Sequence, residues 1–356
     1  MLADLLKRTD RQFDLSEISS FFAGKSVLVT GAAGSVGSAL SLKLAELGCS
    51  HLAMLDQFDH GLLKIVESVS KSRPSLRTSE ILCDIRDAGR LETWMRRVEP
   101  DIVIHSAALK HVHLGERHPV ECVLTNLVGV RNAVVAAANA GAGQFLLVSS
   151  DKAAAPTCVM GATKRLAELF LAGFAFERST TMRTKSVRFG NVLGSQGSVL
   201  PRFQAQIKGG GPLEITHPKM ERFFMRSDEA VGLILSVIAV EREAGAYYMD
   251  MGDAVSIVKL AQDLIERSGK DVDMVFTGLR PGEKLSEQLI DEHEQVAPSA
   301  LPGVYRVTPY ASDAYMTSAD VTRLEALART MDNEVLRQRV FAHLDERLHR
   351  EERCAG

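Results

Sequence analysis

The segment SVLVT at 26–30 runs directly into Thr30-Gly31-Ala32-Ala33-Gly34-Ser35-Val36-Gly37, which opens the amphipathic stretch SVGSALSLKLAELG. Glycine permits the tight turn and lets the backbone approach a ligand, while a helix N-terminus points unpaired N–H groups at an anion. The pattern predicts the first strand, turn and helix of a parallel α/β sheet. Gly31, Gly34, Ser35, Val36 and Gly37 would then face the pyrophosphate of a dinucleotide. The spacing is GxxGxxG, one residue longer than the commonest pattern; alone it could be a structural turn, and its strand-to-helix context favours the cofactor.

Further short apolar runs follow at 51–55 (HLAML), 79–83 (SEILC), 101–105 (DIVIH), 144–150 (QFLLVSS) and 184–189 (TKSVRF), alternating with longer amphipathic stretches. Continuous apolar strands separated by crossover helices predict a doubly wound parallel sheet, a Rossmann domain, over residues 25–190. After Asn191 come the Gly/Pro-rich stretches GSQGSVLPRF, KGGGPLEI and LRPGEKLSE, set among helices expected near 227–241, 256–268 and 317–347. Residues 191–356 therefore read mainly as a smaller substrate lobe with closing helices, and residues 1–24 as an N-terminal helical extension.

With 356 residues, 46% hydrophobic composition and a net charge of −3, the chain can bury a large core and presents no basic field for nucleic acid. Its five cysteines lack CxxC spacing and a neighbouring His cluster, which reads as reduced thiols of a cytoplasmic protein. His111 and His113 have no evident third ligand, so no metal site is expected. The N-terminal stretch has no apolar signal region and no later stretch reads as an uninterrupted membrane span, which disfavours secretion and membrane insertion.

Asp56 ends the second strand, where a carboxylate accepts hydrogen bonds from ribose hydroxyls and repels a 2′-phosphate. NAD is therefore preferred over NADP, although Gln57 and His60 stand close enough to adapt. Asp84 and Ile85 after the third strand are placed beside the adenine, with a simple turn as the alternative, and Ala107 after the fourth strand is counted among the cofactor-binding residues.

The fifth strand delivers Ser149, Ser150, Asp151 and Lys152 at its C-terminal end, the place where ligands bind in open α/β sheets. A helix carrying Met160-Gly161-Ala162-Thr163-Lys164 follows. The order resembles the Ser/Thr and Tyr-x-x-x-Lys of short-chain dehydrogenases, with Met160 where the tyrosine stands. A thioether has no ionisable proton, so Met160 cannot be an acid or base. The string LLVSSDKAAAPTCVMGATKRLAE resembles the UDP-N-acetylglucosamine 4,6-dehydratases of the polysaccharide-biosynthesis family, among which methionine here is a recognised variant. So do LLKR near the N-terminus, GKSVLVTGAAGSVGS, HSAALKHVHLGERHPVECVLTNLVGVRN, SVRFGNVLGSQGSVLPRF and GLRPGEKLSE, so the resemblance covers nearly the whole chain. Longer members carry an N-terminal membrane region, and the resemblance implies a short, soluble form without it.

The resemblance implies an extended short-chain dehydrogenase fold and oxidation at C4 of a UDP-N-acetylhexosamine by NAD. Water is then lost across C5 and C6, and hydride returns to C6. Lys152 would be the base and Asp151 the acid, beside Ser150, and Lys164 would hold the nicotinamide ribose of the cofactor. To act as a base Lys152 must shed its proton, and Lys164, the oxidised nicotinamide and burial are expected to depress its pKa. Asn191, Arg222 and Arg280 would grip the diphosphate, Glu283 the ribose, and Ser198, Val199, Leu200 and Phe203 the uracil. Lys110 would support the pyrophosphate or the sugar, and Asn126 would shape the proton path, with a local hydrogen bond within its helix as the alternative.

The Met-bearing centre points to the C5-retaining group; the alternatives are a C5-inverting dehydratase, a 4-epimerase and a catalytically silent dinucleotide-binding scaffold. A homo-oligomer, dimer or larger, is expected; the resemblance implies pairing through the helices that hold Asn126 and Lys164, and the apolar run VRNAVVAAANA fits a helix buried there or equally one packed on the chain's own sheet.

Overall fold

The computed structural model describes residues 13–309 and 315–348. LLKR and Cys354 lie outside the described residues.

Strands β1 (Ser26–Thr30), β2 (His51–Asp56), β3 (Arg77–Leu82), β4 (Ile102–His105), β5 (Gln144–Val148) and β6 (Arg183–Arg188) pair in parallel in the order β6-β5-β4-β1-β2-β3. The fold is the expected doubly wound α/β sheet. The apolar runs are fully covered, since Val27, Leu28, Val29, Leu52, Met54, Val103 and Leu147 have no exposed surface. Burial of each such side chain contributes about 1.5–3 kcal/mol. β3 lies at one edge and starts two residues before the expected SEILC.

Three strands from beyond residue 190 complete a nine-stranded sheet: Gly245–Met249 pairs parallel to β6, and Val304–Pro309 and Glu294–Pro298 continue it antiparallel. The sheet is therefore not divided at residue 190.

Helices α1 (Leu15–Phe22), α2 (Ser35–Glu46) and α3 (Asp59–Ser72) belong to one face. Helix α4 (Ala88–Val98) lies on the other. Asp14 caps α1 by accepting from the amides of Ser16 and Glu17 at 2.9 and 3.2 Å, and Asp87 caps α4 through the Arg90 amide. Beyond β4, short helices α5 (Val112–Arg117) and α6 (Pro119–Cys122) lead into a π-turn at Val123–Val128 and then α7 (Gly129–Asn139). The continuous stretch Pro119–Asn139 is long and apolar enough to cross a membrane, which corrects the expectation that no such stretch exists. Its Val123, Leu127, Val130, Ala133, Val134 and Ala137 pack in the core beside β4, β5 and α4, and that burial accounts for the composition.

Helix α8 (Val159–Arg178) follows β5. Helices α9 (Val199–Lys208), α10 (Ser227–Val240) and α11 (Ile257–Ser268) come from the second half. α10 is apolar along its length because it packs among α1, α2, β5 and β6 in the main layer. A separate small core forms from Phe203, Ile207, Leu213, Ile215, Met220, Phe224, Ile257 and Leu260, which is the lobe beside the sheet ends. The single helix expected at 317–347 is two, α12 (Ser318–Thr330) and α13 (Asn333–Leu348). Asp332 breaks them apart, its carboxylate accepting from the amides of Glu334 and Val335 at 3.0 Å.

Candidate active site

The C-terminal ends of the parallel strands open into a cleft with compartments of about 580 and 220 Å³. Gly34, Ser106, Ala108, Leu109 and Gln196 line both, so the two are continuous.

The smaller compartment contains Gly31, Asp56, Asp84, Ile85 and Ala107, and the N-terminal residues Ser35 and Val36 of α2 line the larger one. Gly31 has φ +67°, and a Cβ there would lie 2.5 Å from the Ala107 amide nitrogen. Gly37 lies outside both compartments: its missing Cβ would lie 2.1 Å from the Gly31 carbonyl oxygen, so it lets helix and turn pack. Asp56 Oδ2 accepts from the Ala33 amide at 2.9 Å and Oδ1 from the Phe58 amide at 3.0 Å. Each oxygen retains a lone pair for a hydroxyl, and the negative charge opposes a phosphate. A cradle without side chains, an α2 N-terminus and a carboxylate at the far end fit a nicotinamide dinucleotide. At Asp84, burial pulls the carboxyl upward, and the bonds from the Arg86 guanidinium and amide overcome it and hold it low.

Where β5 ends, Ser150 Oγ donates to Asp151 Oδ1 at 2.9 Å and accepts from the Lys152 amide at 3.2 Å. Lys152 Nζ donates to the same Asp151 oxygen at 2.9 Å. Asp151 Oδ2 is buried with no hydrogen-bond partner. Asp151 itself is 1% exposed and sits just beneath the cleft wall, whereas Ser149, Ser150, Lys152, Met160 and Lys164 line it. Helix α8 starts close to this turn because Gly161 has no side chain: a Cβ would lie 2.2 Å from the Lys152 carbonyl oxygen.

Lys164 Nζ donates to the Val148 carbonyl at 2.9 Å, and burial pushes its pKa down to about 8. His105, buried beside it, is kept neutral by burial and by the Lys164 charge, with its pKa down to about 3. The expected depression of Lys152 is corrected. Burial does act downward, but the Asp151 and Glu287 carboxylates more than offset it, and the Lys152 ammonium is held above its ordinary range. Glu287 escaped the sequence reading; its Oε1 lies 3.5 Å from Lys152 Nζ and 3.8 Å from Arg222 Nε.

The larger compartment is closed by Lys110, Asn191, Ser198, Val199, Arg222, Arg280 and Glu283, brought from the loops after β4 and β6 and from the second half. Lys110 Nζ donates to the Gln196 carbonyl at 2.5 Å, and burial lowers its pKa. Arg222 donates to the Glu221 and Leu285 carbonyls at 2.7 and 3.1 Å and faces Glu283 at 3.7 Å.

Three of the expected substrate-side residues do not line either compartment. Leu200 and Phe203 are buried away from the cleft, Phe203 within the small lobe's core. Asn126 is also buried: its Oδ1 accepts from the Leu109 amide at 2.8 Å, and Nδ2 donates to the Leu109 carbonyl at 3.0 Å and to Thr163 Oγ1 at 3.3 Å. It pins the loop after β4 to the π-turn and α8, with bonds that reach beyond its own helix. His111 packs against Gly197, where a Cβ would lie 2.7 Å from its ring.

Comparison with known proteins agrees with this geometry. Residues 27–309 match the polysaccharide biosynthesis protein family. The chain is 40% identical over 308 residues to the probable polysaccharide biosynthesis protein EpsC of Bacillus subtilis, covering 85% of this chain and 51% of that one. It thus spans about half the length of that relative. It is 32% identical over 290 residues to a UDP-N-acetylglucosamine 4,6-dehydratase (inverting) of Campylobacter jejuni, covering 81% and 84% of the two chains. Among solved structures, Pen from Bacillus thuringiensis superposes with a TM-score of 0.74 at 28% identity, covering 88% of this chain and 99% of that one. The chain belongs to the polysaccharide biosynthesis protein family.

Proposed function

We propose that the chain is an NAD-dependent UDP-N-acetylglucosamine 4,6-dehydratase that retains the C5 configuration and forms a 4-keto-6-deoxy sugar nucleotide for surface-glycan assembly. The observation that carries this reading is an acid and an amine, Asp151 and Lys152, bonded at 2.9 Å where β5 meets the cleft, with Met160 in place of a phenol. Simple transfer of hydride needs one proton carrier at the hydroxyl, whereas elimination needs a base at C5 and an acid at C6. When bound in the cleft beside Gly31, Gly34 and Asp56, NAD would supply the hydride-accepting and hydride-donating capacity that the two redox halves of this reaction need.

The chain's own groups do the proton work. Lys152 Nζ, in its neutral form, takes the C5 proton, Asp151 gives a proton to the departing C6 oxygen, and the proton released from the 4-hydroxyl on oxidation is carried by water to restore the Asp151 acid. Lys152 later returns its proton to C5. One base that takes and returns the proton on one face retains the configuration, and Met160 leaves no second proton carrier at the tyrosine position. Lys164, with hydrogens beyond the one engaged by Val148, is suited to the nicotinamide ribose, and Arg222 and Arg280 to the diphosphate.

The test is incubation with UDP-N-acetylglucosamine and NAD, followed by NMR of the product. A 4-keto-6-deoxy sugar with unchanged C5 is expected, and Lys152→Ala and Asp151→Asn should each lower turnover by about 10²–10⁴-fold. A 4-epimer, a C5-inverted product, or full activity in both variants would replace the reading.

A further inference from the structure

We propose that Glu287 is a positioning residue for Lys152: its carboxylate, brought from the second half of the chain, holds the Lys152 ammonium at the cleft and is shared between that ammonium and Arg222.

The geometry begins with burial. The Glu287 side chain is 4% exposed, and its Oε1 stands between Lys152 Nζ at 3.5 Å and Arg222 Nε at 3.8 Å. A buried carboxylate is costly to keep unless cations face it, and here two do, one from each half of the chain. Lys152 is also faced by Asp151 on its own turn, and Arg222 and Cys158 interact with it from the second half and the head of α8.

Glu287 lies in a stretch without helix or strand, yet that stretch is fixed on both sides. The Leu285 carbonyl accepts from Arg222 Nη1 at 3.1 Å and from the Glu221 amide at 2.9 Å. The Leu289 carbonyl accepts from Arg188 Nη1 at 3.0 Å. Asp291 Oδ2 then accepts from the Ala155 amide at 2.9 Å, three residues beyond Lys152 in the chain. Arg188 is itself locked between Glu168 and Glu294 with no exposed surface. Carbonyls gripped by two buried arginines aim Glu287 at Lys152 as firmly as a regular element would.

The consequence concerns a proton. When Lys152 takes a proton from C5, the ammonium formed is stabilised by a carboxylate that was already in place. The proton stays on Nζ until it is given back to the same carbon; no other bond is made or broken by Glu287. This inference deepens the dehydratase reading, so its test is chosen to work without turnover.

Trace acylation of the intact protein with acetic anhydride across pH, read by mass spectrometry on the Lys152 peptide, reports the fraction of neutral amine. Glu287→Gln should lower the labelling midpoint by about 1–3 pH units, the effect of losing one opposite charge at this range. Glu292→Gln, an exposed neighbour, should leave it in place. Should Glu287→Gln melt far below the wild type, Glu287→Asp, with its charge withdrawn by one methylene, should give a smaller drop. An unmoved midpoint in the variant that stays folded overturns the proposal. With UDP-N-acetylglucosamine, the acidic limb of kcat/KM should move down in step, a change that a purely structural role would not produce. A wild-type protein that makes no 4-keto product but shows the labelling shift removes the dehydratase reading and keeps this one.

Discussion

Met160 lies 3% exposed in a small cluster with Cys122, Cys158 and Val159, and it also lines the cleft. Burial pushes the Cys158 thiol up to about 11, so the surroundings of Met160 are poor in proton carriers. The nearest candidate along α8 is Lys164, whose pKa of about 8 against an ordinary 10.5 carries a stability consequence. Between those values the unfolded chain holds a proton that the folded chain lacks, so this residue makes stability rise with pH from 8 to 10.5. Below pH 8 its burial cost is fully present. The span corresponds to about 3 kcal/mol. Urea unfolding at several pH values should show a shallower rise for Lys164→Met than for the wild type; superimposable slopes would refute the assignment.

At the scale of elements, the close approach of α8 to the turn holding Lys152 depends on Gly161. A methyl there would lie 2.2 Å from the Lys152 carbonyl, a backbone atom that cannot rotate away. Gly161→Ala should cost about 1–3 kcal/mol through overpacking and displace Lys152, lowering both the melting temperature and turnover. Wild-type melting with wild-type turnover would show that the contact relaxes freely.

The same elements show what the sequence made legible. Strands β1, β2, β4 and β5 were readable because doubly covered strands are continuous apolar runs, and the turn at Gly31 because its glycines meet a steric demand. Periodicity in the last helical stretch continued through Thr330-Met331-Asp332-Asn333, and only the capping behaviour of Asp332 separates α12 from α13. Glu287 gave no local signal, since its role arises from a loop folded back over residues more than a hundred positions away. A Glu seven residues after Arg280 in a stretch already suspected of contacting the cleft was the available clue. Phe203 and Leu200 were harder to place: helix α9 turns Phe203 into the small lobe's core, and the Leu200 side chain is buried as well.

For the whole molecule, the last two helices decide which surfaces remain free. Leu324, Ala328, Leu336, Val340 and Leu344 of α12 and α13 join the same core as Leu127, Leu166 and Phe170. α12 packs on the π-turn and α13 on α8. Arg337 of α13 donates to Glu116 Oε2 at 2.9 Å while Glu116 Oε1 accepts from the Val159 amide at 2.6 Å, tying this cover to the start of α8. Parts of the helices holding Asn126 and Lys164 are thus packed against α12 and α13 of the chain itself. Removing residues 318–348 should uncover that apolar surface, lower the melting temperature and raise the mass seen by light scattering at equal concentration. A truncated chain with the intact chain's mass and melting temperature would show that these helices are not the cover. If the intact chain is itself a dimer, Leu166→Arg on the covered face should destabilise each subunit, because the side chain it replaces is fully buried within the subunit.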